Sequence, residues 1–549
     1  MKRSLLALAA ALLASPAWST SVVNNVNGIQ VGADGKLERF SGLVIGDDGK
    51  IVQVIPEGAM MKLSGVDTVV DGGGRTLLPG LIDAHGHVMG LGESAMQLDL
   101  VGTASLADLQ ARLRDYAAAR PADPWIVGRG WNQELWTDKR FPTAADLDAV
   151  VPDRPVILER VDGHAVVVNN AALKAAGVTA GTKAAAGGEI ERDATGKPTG
   201  LLIDAATELV AAKVPPPTPA QLDGALAKAQ EALLAVGITG VADMGTGVEA
   251  WQTYRRAGEA GRLQVRIMSY ASDVEPMRAL APNGPTDWLY GDRLRMGGIK
   301  IYADGALGSR GAALFEPYAD APHTSGLMQI TAEAVLPAYE RALEAGIQIA
   351  THAIGDRGND EVLDWYERAG VTPDARWRVE HAQIVRPSDL HRFEDDGVIA
   401  SMQPSHAIGD LHFAPARLGD ARLDGAYAWR TLIEDGAVVV GGSDAPVERG
   451  SPLIEFYAAV ARRDLQGFQG PDWRPQEAVS RQQALSMFTT APAYASFRED
   501  ELGMIREGFR ADFTVFDVDL MTAPVEEIPN GRALLTIVDG QESYRAEGW

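Results

Sequence analysis

Apolar runs of strand length alternate with helical stretches through most of the chain between residues 77 and 441. Short apolar runs that end at Gly, Pro or polar residues are typical of buried strands, and strands separated by helices favour a parallel sheet. The predicted strands are 77–84, 240–244, 264–270, 298–303, 348–351, 377–380, 398–403 and 437–441. The predicted helices are 219–235, 248–260, 332–344, 360–368, 386–393 and 426–434. Eight strands with helical crossovers predict an α/β fold, a TIM-like (β/α)8 barrel.

Both ends of the chain follow a different pattern of short strands and turns. Residues 20–76 and residues 500–549 contain short Val-, Ile- and Leu-rich segments separated by Gly, Asp and Lys, which indicate antiparallel strands. Each set is too small to be stable alone. We therefore expect the two ends to pack together as a small flanking β-sandwich, with the barrel formed by residues 77–499.

Residues 93–215 do not follow the strand and helix rhythm of the barrel. This segment is rich in apolar residues and carries Trp125, Trp131, Trp136 and His164. Its apolar content is too high for disorder, and a loop of this length is unusual. The segment is therefore predicted to be a large insertion after the first barrel strand, forming a lid or a substrate-shaping subdomain.

The first 19 residues have the order of a secretory signal peptide. Lys2 and Arg3 are followed by an apolar run, residues 5–13, and by small residues near positions 17–19. The apolar run is too short for a stable membrane anchor. We therefore expect an exported protein, periplasmic or secreted.

The composition indicates a large acidic globular protein. The chain has 549 residues, of which 46% are hydrophobic, and a formal net charge of -24. Such a charge repels nucleic acid and anionic lipid, so we expect neither a nucleic-acid partner nor a membrane partner, and we expect a small-molecule substrate. The chain has no cysteine, which excludes disulfides, thiolate ligands and cysteine nucleophiles. Any metal must therefore be bound by nitrogen and oxygen ligands.

The end of the first predicted strand carries two histidines, His85 and His87, in the sequence DAHGH. Residues two apart in a strand point to the same side, so both imidazoles face one point. Imidazole is the commonest protein ligand for zinc-like metals. This pair therefore predicts half of a metal site.

Other predicted strands end in candidates for the second half of this site. These residues are Lys300, His352, His381 and Asp444. The carboxyl ends of barrel strands converge on the active site, so the joint pattern predicts a metal centre there. Taken singly, a core histidine or a capping aspartate is an equally good explanation. For Lys300 the alternative is an unmodified lysine in an ion pair with Asp304 or another carboxylate.

Six motifs together resemble those of the amidohydrolase superfamily, and within it the branch that includes the N-substituted formamide deformylases. The motifs are PGLIDAHGH at 79–87, GGIKIYADGALGSR at 297–310, THAIGD at 351–356, VEHAQ at 379–383, GSDAP at 442–446 and GMIREGFRADFTVFD at 503–517. The resemblance implies a deformed (β/α)8 barrel with a flanking β-sandwich and a centre of two divalent metal ions, zinc being the first choice. Iron, manganese and nickel accept the same ligands.

The resemblance also implies a role for each candidate ligand. His85, His87 and Asp444 would bind the more buried ion, and His352 and His381 the more exposed one. Lys300 would react with carbon dioxide, and the resulting carbamate would bridge both ions.

The implied reaction is metal-dependent hydrolysis. The ions lower the pKa of a bound water toward ~7, and the hydroxide attacks a carbonyl carbon. Asp444 would accept the proton and pass it to the leaving nitrogen. His164 and His406 are candidates for a polar neighbour of the carbonyl oxygen, and Arg310 for binding an anionic group of the substrate.

Three classes of function are compatible with these residues. The first is hydrolysis of a linear, non-peptide amide by a metal-dependent amidohydrolase. The second is hydrolysis of a cyclic amide, a carbamate, an ester or an N-acyl amino acid at the same site, since a fold does not fix the substrate. The third is a non-catalytic secreted binding or regulatory protein, against which the complete set of candidate ligands argues. The oligomeric state stays open, with a homo-oligomer as one option.

Overall fold

The protein is described here from a computed structural model, which describes residues 21–59, 68–161, 163–184, 188–470 and 473–549. The predicted signal peptide, residues 1–19, lies outside the described residues. The chain divides into two compact units. The barrel unit comprises Met1–His87 and Glu231–Trp549, and the second unit comprises Val88–Gln230. In the described ranges, no helix combines the length and the apolarity needed to cross a bilayer.

The barrel unit contains a parallel sheet of eight strands that are adjacent in chain order. Its strands are Leu81–Gly86, Ile238–Thr246, Arg266–Ala271, Leu294–Tyr302, Gln348–Ala353, Arg378–His381, Ile399–Met402 and Val439–Gly441. Backbone N–H groups of Ser443 and Asp444 donate to the carbonyl oxygen of His85 at 3.2 and 2.7 Å, which joins the two ends of the sheet. Each strand overlaps one predicted strand, and the prediction of a TIM-like barrel is confirmed.

Helices lie between the barrel strands and after the last one. The α-helices are Pro219–Ala235, Val248–Glu259, Val274–Leu280, Ala332–Glu344, Asp356–Ala369, Arg392–Asp395, Pro404–Asp410, Ala414–Leu418, Trp429–Asp435, Pro452–Ala461, Arg481–Met487 and Thr490–Ala495. Short 3-10 helices are Pro373–Ala375, Asp420–Gly425, Pro475–Glu477 and Val525–Asn530. The predicted helix 386–393 differs, since turns occupy residues 387–390 and the helix begins at Arg392. Pro387 has no backbone N–H, and the Arg386 side chain binds Asp389 within this turn.

Strands from both chain ends form one sheet in the barrel unit. The strands are Ser21–Asn24, Asn27–Val31, Leu37–Ile45, Ile51–Pro56, Thr68–Asp71, Thr76–Pro79, Phe513–Phe516, Ala533–Val538 and Gln541–Arg545. Thr76–Pro79 connects the two ends, because it pairs in parallel with Asn27–Val31 and antiparallel with Phe513–Phe516. Phe40, Leu43, Phe513 and Leu535 belong to the apolar core of this sheet. The sandwich arrangement of the two ends stays a prediction.

The second unit has a sheet and apolar cores of its own. Its strands are Leu98–Asp99, Ile126–Trp131, Val156–Arg160, Ala165–Val168, Gly188–Arg192 and Pro198–Asp204. Its helices are Val88–Met96, Leu106–Ala119, the 3-10 helix Gln133–Leu135, Ala144–Asp148, Asn170–Ala176 and Glu208–Ala211. Trp131 and Trp136 are buried, and their indole N–H groups donate to the carbonyl oxygens of Leu158 and Thr103 at 2.8 and 2.9 Å. These two tryptophans therefore fill the core of the unit.

Candidate metal centre

The strand ends of the barrel bring four of the predicted ligands into direct contact. Nε2 of His87 lies 2.8 Å from Oδ1 of Asp444, and Nε2 of His85 lies 3.5 Å from the same oxygen. Nζ of Lys300 lies 3.4 Å from Nε2 of His85. His85, His87 and Asp444 each offer a donor atom, and these atoms lie within 4.8 Å of one another.

A second set of imidazoles continues this cluster. The ring centroid of His381 lies 4.8 Å from that of His85 and 4.5 Å from that of His352. Donor atoms of His381, His406 and Asp444 also lie within 4.8 Å of one another. Asp444 thus contributes to both groups. The sequence predicted His352 beside His381; the structure adds His406 to them.

The backbone that follows the eighth strand can only approach the first strand because it begins with glycine. A Cβ on Gly442 would lie 2.5 Å from the backbone nitrogen of His85, closer than real Cβ contacts. Asp444 has a φ of 58°, in the left-handed region that Asn and Asp tolerate better than most residues. The GSDAP segment is therefore shaped to place a carboxylate against the paired histidines of the first strand.

Two of the imidazoles are oriented by acceptors that the sequence did not single out. Nδ1 of His85 donates to Oε2 of Glu380 at 2.5 Å, and Nδ1 of His381 donates to Oε1 of Gln403 at 2.8 Å. A carboxylate and an amide oxygen can only accept, so the proton of each neutral ring is on Nδ1. Nε2 of each ring then has a free lone pair, as metal coordination requires.

Glu380 is itself held by a fully buried arginine. Arg378 donates from Nε to Oε1 of Glu380 at 2.7 Å and from Nη2 to Oε2 at 3.1 Å. Burial would raise the pKa of Glu380, but Arg378 and His85 hold it well below its usual range. The carboxylate is thus anionic and fixed in place behind His85. The only sequence signal for Glu380 is its place directly before His381 in the strand sequence RVEH.

Burial keeps His85, His352 and His381 neutral; burial would also lower the pKa of His87, but the Asp444 carboxylate raises it. Burial, together with Lys300, lowers the pKa of His85 to about 4 and that of His352 to about 3, and it lowers the pKa of His381 well below its usual value. Burial also lowers the pKa of Lys300 to about 8. Neutral imidazoles are the form that binds metal.

The donor set fits divalent metal ions. Nε2 of His352 is buried and has no hydrogen-bond partner among the described residues. Its nearest carboxylate oxygen, Oδ1 of Asp304, is 3.5 Å away and already accepts from the backbone N–H of Ile354. A buried unpaired imidazole nitrogen beside an aspartate, a lysine and further imidazoles is the arrangement expected of a metal site.

The Asp304 carboxylate accepts hydrogen bonds from backbone N–H groups and does not pair with Lys300. It accepts from the backbone N–H groups of Ala313, Ile354 and Gly355, at 2.8 to 2.9 Å. Nζ of Lys300 instead faces His85 and lies 5.1 Å from the ring centroid of Tyr302. The alternative of an ion pair between Lys300 and Asp304 is therefore not formed in the described part of the barrel.

The three predicted substrate contacts have different surroundings. His406 lies at the cluster, with Nε2 3.7 Å from Oδ2 of Asp444. Arg310 donates from Nε and Nη2 to Asp320, at 3.1 and 2.8 Å, and the same carboxylate also binds Arg417. His164 belongs to the second unit, where its Nδ1 lies 2.9 Å from Oδ1 of Asp204. Only His406 is thus in contact with the predicted ligands within the barrel unit.

Comparison with known proteins relates the chain to one family. A sequence profile described as "Amidohydrolase family" matches residues 68–544. The putative amidohydrolase YtcJ of Bacillus subtilis (strain 168) is 33% identical over 478 residues, 86% of this chain and 89% of that protein. The N-substituted formamide deformylase of Arthrobacter pascens is 31% identical over 494 residues, 87% of this chain and 90% of that enzyme.

A solved structure gives the same result for the fold. The crystal structure of an uncharacterized metal-dependent hydrolase from Pyrococcus furiosus matches with a TM-score of 0.77 and 29% sequence identity. The match covers 92% of this chain and all of that one. The resemblance inferred from the six motifs is thereby confirmed.

Proposed function

The chain belongs to the amidohydrolase family, and from this premise we propose that it hydrolyses a linear, non-peptide amide C–N bond with the help of two divalent metal ions. A hydrolase is what the family and its relatives support directly. The observation that carries the proposal is the convergence of neutral imidazoles, Lys300 and Asp444 at one mouth of the barrel.

We assign the ligands by the contacts of the cluster. His85 and His87 would hold one ion, His352 and His381 the other, and Asp444 lies within reach of both groups. Zinc is our first choice because the donors are nitrogen and oxygen atoms and imidazole predominates. When bound, such ions lower the pKa of a coordinated water toward ~7 and polarise a carbonyl oxygen.

Lys300 is proposed to be carboxylated. Its amine is buried 3.4 Å from an imidazole nitrogen, and burial lowers its pKa to about 8, so a fraction is neutral at neutral pH and can react with carbon dioxide. The carbamate would turn a cation among metal ligands into an anionic bidentate ligand. This change removes the repulsion between an ammonium group and two dications.

Asp444 is proposed as the general base and acid. Burial would raise the pKa of Asp444, but its imidazole neighbours hold it well below its usual range, so the carboxylate is ionised. Its two oxygens face His85 and His87 on one side and His406 on the other. Asp444 can therefore accept a proton from water at the cluster and deliver it to the leaving nitrogen.

His406 is proposed to donate a hydrogen bond to the carbonyl oxygen of the substrate. Its Nδ1 accepts from the side-chain N–H of Gln383 at 3.1 Å, so the proton of the neutral ring is on Nε2. This is the opposite arrangement to His85 and His381, whose Nε2 atoms carry lone pairs. An N–H fixed beside Asp444 can stabilise the negative charge that develops on the carbonyl oxygen.

Two further segments and two further side chains have proposed roles. We propose that residues 1–19 direct export to the periplasm or the medium, and that residues 93–215 form a lid or a substrate-shaping subdomain. Arg310 and His164 stay candidates for substrate contacts. The acidic chain is expected to act on a small-molecule amide.

The test is a screen of metal-loaded protein against N-acyl amines, N-acyl amino acids, cyclic amides and esters, read as release of free amine, acid or alcohol. We expect linear N-acyl amines to be hydrolysed, about two ions per chain by elemental analysis, and loss of turnover on chelation with recovery on adding metal. Activity of a metal-free preparation would refute the mechanism, and turnover of cyclic amides or esters alone would refute the substrate class.

A further inference from the structure

The barrel strand that carries Lys300 ends in an exposed aromatic residue, Tyr302. Of the nine residues of this strand, Leu294–Tyr302, only Tyr302 is exposed. Its exposed fraction is 44%, whereas that of Lys300 is 1%. The two residues are two positions apart, so both side chains point to the same side of the strand. The tyrosine ring therefore lies at the boundary between the candidate metal centre and solvent.

This ring packs directly on the candidate metal centre. Its centroid lies 5.4 Å from the ring centroid of His352 and 5.1 Å from Nζ of Lys300. Aromatic rings that pack on each other typically have centroids about 4.5–7 Å apart. A substrate group of more than a few atoms that is bound at the centre would therefore meet the exposed part of the ring.

The hydroxyl group of Tyr302 does not explain why the ring is at this position. It makes no hydrogen bond within the part of the chain that the structure describes. Two buried tyrosines of the barrel differ, since the hydroxyl of Tyr270 donates to Oε1 of Gln348 at 2.5 Å and that of Tyr366 to the carbonyl oxygen of Arg378 at 2.8 Å. A structural role through the hydroxyl thus applies to these two residues and not to Tyr302.

A second apolar side chain is exposed beside the same strand end. The backbone N–H of Gln329 donates to the carbonyl oxygen of Ala303 at 2.7 Å, and its side-chain N–H donates to that of Asp304 at 2.9 Å. Leu327, two residues before Gln329, is 70% exposed. Apolar side chains around a few convergent polar groups are the composition expected of a small-molecule site.

The place of the ring in the barrel indicates which part of an amide would cover it. In the proposed reaction, the leaving nitrogen faces Asp444, after the eighth strand, and the carbonyl oxygen faces His406, after the seventh. The acyl group is the third substituent of the carbonyl carbon and points away from both. Tyr302 ends the fourth strand, which lies across the barrel from the eighth because the strands are adjacent in chain order. The acyl group therefore points toward Tyr302.

We propose that Tyr302 binds the acyl group of the substrate through its ring, and that this acyl group is apolar. The inference rests on the proposed function, and it narrows the substrate class to amides whose acyl group is a hydrocarbon chain. A formyl group has no such chain and would leave the ring uncovered. Each methylene group that the ring removes from water should raise kcat/KM by up to about fourfold.

The kinetic experiment uses two series of amides on the metal-loaded protein. In the acyl series, ethylamine carries an acetyl, a butyryl or a hexanoyl group. In the amine series, the acetyl group is kept and the amine is lengthened from ethylamine to hexylamine. We expect kcat/KM to rise at least roughly tenfold from the acetyl to the hexanoyl amide of ethylamine. A kcat/KM that does not depend on acyl length would overturn the proposal and leave amide hydrolysis intact.

The variants Tyr302→Ala and Tyr302→Phe test whether the ring is responsible. The ratio of kcat/KM between the hexanoyl and acetyl amides should fall toward one in Tyr302→Ala and stay at the wild-type value in Tyr302→Phe, which keeps the ring. Tyr544→Ala, in the strand Gln541–Arg545, is the matched control and should keep the ratio. Tyr302→Ala should not change the dependence on amine length; a change confined to the amine series would overturn the assignment.

A binding experiment separates this proposal from the proposed function. Hexanoate and acetate carry the same carboxylate and are the acids that the two amides would release. Hexanoate should raise the unfolding temperature of the metal-loaded wild-type protein more than acetate at the same concentration and ionic strength. The extra shift should disappear in Tyr302→Ala and persist in Tyr302→Phe and Tyr544→Ala. If no amide is hydrolysed, the proposed function fails, but this result still decides the role of Tyr302; equal shifts with the two acids would overturn it.

Discussion

Nδ1 of His85 lies 2.5 Å from Oε2 of Glu380, although the two residues are 295 positions apart in the sequence. His85 belongs to the first barrel strand and Glu380 to the sixth, so the barrel interior joins them. The contact fixes the proton of His85 on Nδ1 and aims the lone pair of Nε2 at the cluster. Arg378 fixes Glu380 in turn. The orientation of a proposed metal ligand is therefore set by residues that do not bind metal.

Replacing Glu380 with Gln should weaken metal binding. The amide removes the charge that raises the basicity of His85, and it leaves Arg378 buried without its anion. Partners of this kind typically contribute about 10- to 100-fold to metal affinity. The affinity can be measured by titrating metal-stripped protein with zinc in the presence of a competing chelator.

The control for this change is Glu344→Gln, at an exposed position of the helix Ala332–Glu344. It should bind zinc like the wild type. An unchanged zinc affinity in folded Glu380→Gln would mean that the His85 contact is only structural.

Replacing Asp444 with Asn should suppress turnover while most of the fold persists. Asn keeps the shape of the side chain and tolerates the φ of 58°, but it cannot accept a proton from water. General acid–base catalysis of this kind typically contributes about 100- to 10,000-fold, so kcat should fall by that order. Steady-state kinetics with metal content measured in parallel separates a lost base from a lost ion.

Asp500→Asn serves as the matched control, because Asp500 is exposed. It should keep wild-type turnover. Near-native turnover of Asp444→Asn with full metal content would show that another residue is the base.

The barrel and most of the cluster were predictable because their signals are local. Strand periodicity placed His85 and His87 on one face, and the strand ends supplied Lys300, His352 and His381. Each of these inferences needs only a few neighbouring residues and the rule that parallel strands end at one edge. The structure brings all of these residues to that edge.

The residues that orient these ligands were not predictable, because their signals are not local. Glu380 reaches His85 from another strand, and Gln403 reaches His381 from the residue after the strand Ile399–Met402. Amides and carboxylates occur at many positions with no such role. The pairing of Thr76–Pro79 with Phe513–Phe516 depends likewise on register across more than 400 residues. Such contacts follow from the closed fold and have no signal in a short window of sequence.

Gln383 should act on the reaction through His406. The side-chain N–H of Gln383 fixes the tautomer of His406. We expect Gln383→Leu to lower kcat and to change KM little, because the hydrogen bond from His406 to the carbonyl oxygen of the substrate forms mainly in the transition state. Loss of a single oxyanion donor typically costs about 100- to 1,000-fold, which is the upper limit for this indirect effect. The measurement is a double-mutant cycle with His406→Ala.

In the His406→Ala background, Gln383→Leu should cause no further loss of kcat. Gln252→Leu, at an exposed position of the helix Val248–Glu259, controls for the polar-to-apolar change. Additive losses in the cycle would contradict the proposed route through His406.

A buried ion pair attaches the third barrel strand to the C-terminal segment of the same unit. Nε and Nη2 of Arg266 donate to the two oxygens of Asp512 at 2.7 and 2.9 Å, and both side chains are buried. Oδ1 of Asp512 also accepts from the backbone N–H of Asp539 at 2.7 Å. Removing one partner of a buried pair typically costs about 3–5 kcal/mol, and Arg266 would keep only its longer ion pair with Asp539, at 3.4 Å. We expect Asp512→Asn to lower the free energy of unfolding in urea by this order.

The same pair should make stability depend on pH in the acid range. Burial would raise the pKa of Asp512, but Arg266 holds it below its usual value in the folded protein. A carboxyl whose pKa is depressed by folding contributes stability above its unfolded pKa of ~3.9, and this contribution is lost as the pH falls through the folded pKa. The difference in unfolding free energy between wild type and Asp512→Asn should therefore be largest near neutral pH and shrink below about pH 4.

Asp517→Asn, which removes an exposed ion pair with Arg532, should cost less than about 1 kcal/mol. A difference between wild type and Asp512→Asn that stays constant down to pH 2 would contradict the assignment.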